Sequence, residues 1–262
     1  MNKYIELNAQ KQAITKFNVN YPTMDSLQNA GLLLNPDTIV VDFDGDNQAK
    51  EQSIIEYIKN TYPTLNVETT RGIHFYYKKP QEITVKSVSD VITASGFQVD
   101  YKTGNNSYVV VKQNGVERNR SQELDLTNLP ELPHILYPLG KNKENLSNMC
   151  DGDGRNNSIF SHLCNVRRKY PTLDIKEIGE FINNNIFTDP LDFRELNNTI
   201  NSVLSRNIEA EQKQSKPLQT ISAIELHNKE LEPTKFIVDN MLPQGLNLIA
   251  SPPKYRQELA NA

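Results

Sequence analysis

The hydrophobic period of this chain switches near Pro130, and that switch restricts the fold more than any other feature. Before it, short β-branched and aromatic runs stand between turn residues: "DTIVVDF", "NVETT", "IHFYYKK", "FQVDYK" and "SYVVVKQ". Runs of this length and composition read as strands. The last two are separated by "TGNN", a Gly/Asn turn that favours a hairpin. "QAKEQSIIEYIKN" sets Ile54, Ile55 and Ile58 on one helical face, and "MDSLQNAGLLL" has helical spacing with an acidic first turn. After Pro130, "NNSIFSHLCNVRRKY", "LDIKEIGEFINNNIF" and "LDFRELNNTINSVL" carry apolar residues three and four apart, punctuated by Pro171 and Pro190. The expected fold class is therefore α+β. A core with a largely antiparallel sheet occupies 1–140, and a small all-α helical bundle follows over 141–206. The stretch 207–219, charged, Gln-rich and without apolar periodicity, is expected to be a linker, and 220–262 to begin a further domain.

An apolar fraction of 37% is low for a single compact globule, which predicts a modest core plus polar linkers. The N-terminus has no apolar signal-like region, and no run of about 18 apolar residues occurs, so a soluble, cytoplasmic protein with no membrane partner is expected. Cys150 and Cys164 lack a CxxC pattern, which argues against a disulfide framework and against a Cys-rich zinc site. A net charge of -4 does not advertise nucleic-acid binding, yet residues 67–120 hold eight Lys/Arg against five Asp/Glu.

The run "TIVVDFDGDNQ" puts Asp42, Asp44 and Asp46 directly after β-branched residues, at a strand end. In a strand, positions i and i+2 share a face, so Asp42 and Asp44 would lie roughly 7 Å apart. Left alone they would repel each other and raise a pKa. A divalent cation removes that cost, which favours a hard cation held by oxygen ligands. An EF-hand loop starting at Asp42 fails, because Asn47 stands at its obligatory glycine and Ser53 at its terminal glutamate. Asp46 falls just past the strand and reads as a turn or supporting residue. "DFDGD" also resembles the "DxDGT" motif of haloacid-dehalogenase-like phosphatases. That class needs a later Ser/Thr, a Lys and an acidic pair on a parallel sheet, and the downstream strands here read as hairpins.

Three further features follow in order: Gly72 and His74 in "RGIHFYY", Asp100 ending "FQVD", and the strand "YVVV" after a Gly turn. A histidine beside aromatics, or an Asp after Val, is commonplace alone and is more often structural. The ordered set resembles the archaeo-eukaryotic primase superfamily, in particular the bifunctional primase-polymerase domains of plasmids and phages. "DGDGRNNSIFSHLCNVRR" is similar to the opening of the helical primase C-terminal domain, and "KFIVDNMLPQGLNLIASPPKY" to the entry of a RecA-like helicase domain. The resemblance implies a DNA primase/polymerase acting on nucleoside triphosphates and a single-stranded DNA template, with a helicase or other replication proteins as possible partners. It also implies that Asp42, Asp44 and Asp100 hold two Mg²⁺ or Mn²⁺ ions, that His74 contacts the phosphates of the incoming nucleotide, and that Gly72 lets the main chain lie close. Arg71 is added on charge, and Lys102 because it shares a strand face with Asp100. Some members of the superfamily carry a zinc-binding stem; no ligand cluster for one occurs here, and no zinc is expected.

Template contacts are harder to read. Without Trp, base stacking would fall to Tyr76, Tyr77, Tyr101 or Tyr108, which serve equally as sheet packing. Arg155 and the run Arg167, Arg168, Lys169 are candidates for gripping a phosphate backbone, although a charge run on a helix is usually a solvated face. Near the end, "ASPPKY" supplies the first positions of a phosphate-binding loop, but Arg256, Gln257 and Glu258 stand where Gly, Lys and Ser belong. No nucleotide-hydrolysing site is expected there. Back-translation of "RQELA" permits Gly-Lys-Ser in a shifted frame, so a helicase shortened by a frameshift is one expectation. Two other readings stay open: a metal-dependent phosphatase, and a non-catalytic DNA-binding replication module.

Overall fold

The computed structural model describes residues 2–14, 20–43, 49–206, 236–238 and 242–243. Asp44, Asp46, the linker expected at 207–219 and the tail residues Arg256, Gln257 and Glu258 lie outside the described residues. The chain divides into two units, Met1–Gln212 and Lys213–Ala262. In the second, Phe236–Val238 pairs antiparallel with Leu242–Pro243.

The first unit is a mixed α+β structure. A four-stranded sheet is built from β1 (Tyr4–Glu6), β2 (Ala30–Leu33), β8 (Tyr108–Gln113) and β9 (Val116–Glu117), in that spatial order. A six-stranded sheet runs β10 (Pro138–Gly140), β6 (Val88–Thr93), β7 (Gln98–Thr103), β3 (Thr38–Phe43), β5 (Ile73–Lys78) and β4 (Asn66–Glu68). Every pairing between these strands is antiparallel. Helix α1 (Ala49–Thr61) follows β3, and α2 (Arg155–Lys169), α3 (Ile175–Phe181) and α4 (Phe193–Ser205) follow β10.

The strand β3 lies in the middle of the larger sheet and is buried along its whole length, which is why "TIVVDF" shows no polar alternation. Its two faces serve two cores. Ile39, Val41 and Phe43 belong to a large cluster with Phe75, Tyr77 and Tyr101, with Ile54, Ile55 and Ile58 of α1, and with apolar residues of α2, α3 and α4. Val40 and Tyr76 belong to a second cluster with Leu32, Val109 and Val111 of the smaller sheet. The segment after Pro130 is helical as its period predicts, but its helices share one continuous apolar cluster with the sheet. Asp174 and Asp192 start α3 and α4 by accepting hydrogen bonds from the second and third amides that follow each of them, caps worth about 1 kcal/mol apiece. A π-helical turn, Ile182–Ile186, extends α3 and buries Asn183, which exchanges hydrogen bonds with the main chain of Leu191.

One element differs from expectation. "MDSLQNAGLLL" forms only a short 3-10 turn at Met24–Ser26, and "AGLL" is the buried strand β2 between β1 and β8. Gly31 is placed there by contact: a β-carbon would lie 2.9 Å from Cδ2 of Tyr108 and 3.1 Å from Cγ1 of Ile5. The strand is paired on both edges, and it is buried on both faces, with Ala30 and Leu32 in one apolar cluster and Leu33 in another.

Candidate active site

Strand β3 is flanked by β5 and β7, and the register sets Asp42 opposite His74 on one side and opposite Asp100 on the other. Directly opposed residues of antiparallel strands project to the same face, so three polar side chains stand in a row across three strands. The row continues the face that carries Val40 and Tyr76. At this end the apolar layer between the two sheets gives way to charged groups.

Each acid has its own basic partner. Nε2 of His74 lies 3.2 Å from Oδ1 of Asp42, with both side chains largely buried. Nζ of Lys102 lies 3.3 Å from Oδ2 of Asp100. The other oxygen of Asp100 accepts a 2.9 Å bond from the amide of Asp90, a residue in the left-handed region (φ 58°) where β6 breaks register with β7. Burial alone would raise the pKa of Asp42; the hydrogen bond from His74 and the charges of His74, Lys102 and Arg118 outweigh it and hold the carboxyl below its ordinary value. Asp42 is therefore ionised at neutral pH.

The row opens onto a cavity of about 210 Å³ lined by Asp42, His74 and Lys102, with Lys11, Arg71 and Arg118. Arg71 and Gly72 occupy the β4–β5 turn, which is closed by bonds between Thr69 and Gly72. Two buried polar atoms here lack a hydrogen-bond partner among the described residues, Nδ1 of His74 and the hydroxyl of Tyr76. Unsatisfied buried polar atoms are costly and mark places where a ligand or water completes the bonding. Five basic side chains around one carboxylate suit a polyanion.

Asp42 and Asp100 supply hard oxygen donors on one face, and this donor set fits Mg²⁺ or Mn²⁺. The third expected ligand, Asp44, lies outside the described residues, and no group of three or more ligand side chains assembles among the described residues.

The basic residues expected to contact nucleic acid bond within the fold. Arg167 donates to the carbonyls of Val203 (2.6 Å) and Arg206 (2.9 Å) at the end of α4. Lys169 donates to those of Pro138 (2.7 Å) and Leu139 (2.9 Å), Arg155 binds Asp151 and the carbonyl of Asp189, and Arg168 binds Asn165. Of the tyrosines, Tyr76, Tyr77 and Tyr101 are fully buried in the sheet. Cys150 and Cys164 are free thiols.

The sequence reading missed Lys11 and Arg118. Arg118 is half-buried just after the β8–β9 hairpin, whose turn Asn114–Gly115 has positive φ at both residues. "QNGVER" carries that turn signal; a tight hairpin brings Arg118 back alongside Val111, whose carbonyl accepts its amide at 2.9 Å.

The antiparallel sheet removes the parallel scaffold that a haloacid-dehalogenase-like phosphatase requires. No curated protein matches the chain. Residues 8–135, which contain Asp42, His74, Asp100 and Arg118, match the family model described as the N-terminal domain of bifunctional DNA primase/polymerases, and this match supports a DNA primase/polymerase function in general.

Proposed function

We propose that this chain is a template-dependent nucleotidyltransferase that makes or extends DNA primers in the replication of a phage, plasmid or other mobile element. The observation that carries the reading is the in-register row His74, Asp42, Asp100 beside a cationic cavity. Asp42 and Asp100, with Asp44, would hold Mg²⁺ or Mn²⁺, which when bound lowers the pKa of an attacking 3′-hydroxyl and offsets charge on the leaving pyrophosphate. Lys11, Arg71, Lys102 and Arg118 bind the triphosphate of the incoming nucleotide. His74, with Nε2 on Asp42, has Nδ1 left for a phosphate oxygen. Single-stranded DNA is the template, and a helicase is the natural partner.

Template-dependent incorporation of labelled nucleotide, with Mg²⁺ or Mn²⁺, tests the proposal. Polymer formation that is lost on removing template or divalent cation is the expected result. Release of phosphate from monoesters without polymer would favour a phosphatase, and neither activity would leave a binding module.

A further inference from the structure

A second cavity, of about 510 Å³, also borders the acids, and among the described lining residues it shares only Asp42 with the first. Asp42 and Asp100 line it together with Asp90, Asn145, Ser147 and Asn148, and none of the described lining residues is Lys, Arg or His. Its volume is in the range of small-molecule sites. Asp42 thus stands between a cavity rich in basic side chains and one that holds carboxylates, amides and two serine hydroxyls. A triphosphate is attracted to the first and repelled by the second.

The chemistry of phosphoryl transfer then fixes what the second cavity receives. Attack at the α-phosphorus is in line, with nucleophile and leaving group on opposite sides. A pyrophosphate departing into the cationic cavity requires the hydroxyl to arrive from the other one. Its amide and hydroxyl side chains can hydrogen-bond ribose and base edges, and Phe43, Ile54, Phe97 and Val99 add apolar surface for a base.

One wall of this cavity comes from a segment outside residues 8–135. The segment is pinned at both ends. Leu146, fully buried, donates its amide to the carbonyl of Gly96 (2.7 Å) in the β6–β7 turn, and its side chain packs where Gly96 lacks a β-carbon. The amide of Asn148, a residue at φ 68°, donates to Ile186 (3.4 Å) in the π-helical turn, and Thr188 donates to Met149 (2.9 Å). Oδ1 of Asn145 accepts the amide of Ser147 (3.0 Å). The wall is therefore held between the catalytic sheet and the helices.

Resting on the nucleotidyltransferase reading, we infer that Asn145, Ser147 and Asn148 line the subsite for the hydroxyl-bearing end of the growing strand. The segment joining sheet to helices is then part of the catalytic centre, and it determines how a strand end is seated.

The test plugs the cavity. Ser147→Tyr fills it from a half-buried position, Asn145→Trp does so from an exposed one, and Ser147→Ala leaves it open. With the full chain, a primed template and labelled nucleotide, both plugs should raise KM for the primed end by about tenfold or more, while KM for nucleotide and affinity for unprimed single-stranded DNA stay within about twofold. Ser147→Ala, which leaves the cavity open and removes one hydroxyl, should raise KM for the primed end by clearly less than either plug. Melting temperature identifies a plug that fails to fold, and the other plug then decides. If the wild type extends primers and a folded plug leaves the primed-end KM unchanged, or raises the nucleotide KM or weakens unprimed-DNA binding as much, this inference is overturned alone. If the wild type extends no primed template, the function proposed above fails and this subsite with it.

Discussion

Asp42 and Asp100 are cross-strand partners on β3 and β7, two like charges held directly opposite each other. Such a pair opposes folding by about 0.2–1 kcal/mol unless compensated. Compensation here is divided: His74 serves Asp42 and Lys102 serves Asp100.

Neutralising either acid should therefore separate activity from stability. Asp42→Asn and Asp100→Asn should each lower template-dependent incorporation by about two to three orders of magnitude or more. Relief of repulsion and loss of a cation partner oppose each other, so melting temperature should move by only a few degrees, at about 2–4 °C per kcal/mol for a unit of this size. Steady-state incorporation and thermal unfolding of the same preparations check both halves. Substantial activity in Asp100→Asn would remove that residue from the site.

Arg118 supplies a similar contrast on the nucleotide side. A charged hydrogen bond is worth about 1.5–3 kcal/mol, so Arg118→Ala should raise the nucleotide KM by about 10- to 100-fold. Arg118→Lys should fall between, since an ammonium cannot reproduce a planar, forked donor set. Affinity for single-stranded template should be unchanged in both, measured by anisotropy of a labelled oligonucleotide.

The pH dependence of stability should be dominated between pH 4 and 6.5 by His162 on α2. It is 4% exposed, and its Nε2 lies 2.8 Å from the carbonyl of Ala94, so Nε2 must carry the proton. Burial is the main cause that pulls its pKa down from 6.5 to about 4. The unfolded chain takes up a proton near pH 6.5 and the folded chain does not until about pH 4. This contribution is complete above pH 6.5 and is lost as the pH falls, at about 1.4 kcal/mol per unit. Unfolding in urea at several pH values should show that slope in the wild type and a shallower one in His162→Gln.

Gly96 should tolerate no side chain. Its φ is +81°, and a β-carbon would sit 2.7 Å from Cδ1 of Leu146. Gly96→Ala should cost about 1–3 kcal/mol through backbone strain and overpacking, seen as a drop of about 3–10 °C in melting temperature. A melting temperature equal to wild type would show that Leu146 can yield.

The sheet of the site was legible because its signals are local. Alternation along "FQVDYK" settles which residues accompany Asp100, the aromatic run "IHFYY" marks the strand of His74, and the position of Asp42 at the end of a β-branched run identifies the strand end. What local pattern does not carry is partnership across distance. "AGLL" was misread because a strand buried on both faces loses period-two alternation and can be taken for part of a helix. Lys11 reaches the site through a paired N-terminal segment that nothing in its own neighbourhood announces; Arg118 reaches it through a hairpin whose Asn-Gly turn is visible in the sequence, but what lies beside that hairpin is not. The charge run in α2 was visible, but its carbonyl acceptors at Pro138, Leu139, Val203 and Arg206 become neighbours only after folding.

Those carbonyl contacts restrict how the chain can be taken apart. Strand β10 edges the six-stranded sheet, and α2 holds it through Lys169 and through the hydroxyl of Tyr170, 2.8 Å from the carbonyl of Pro138. Leu136, Tyr137 and Leu139 pack in the same cluster as Leu163, Val166 and Ile178. A fragment ending near residue 140 would expose that apolar face to solvent and to other copies of itself, a recipe for aggregation. The helices are for that reason a poor cassette for transplantation. Swapping them for those of another protein would demand redesign of the seam, and recombination breakpoints in such a gene should be rarer at this junction than beyond residue 206.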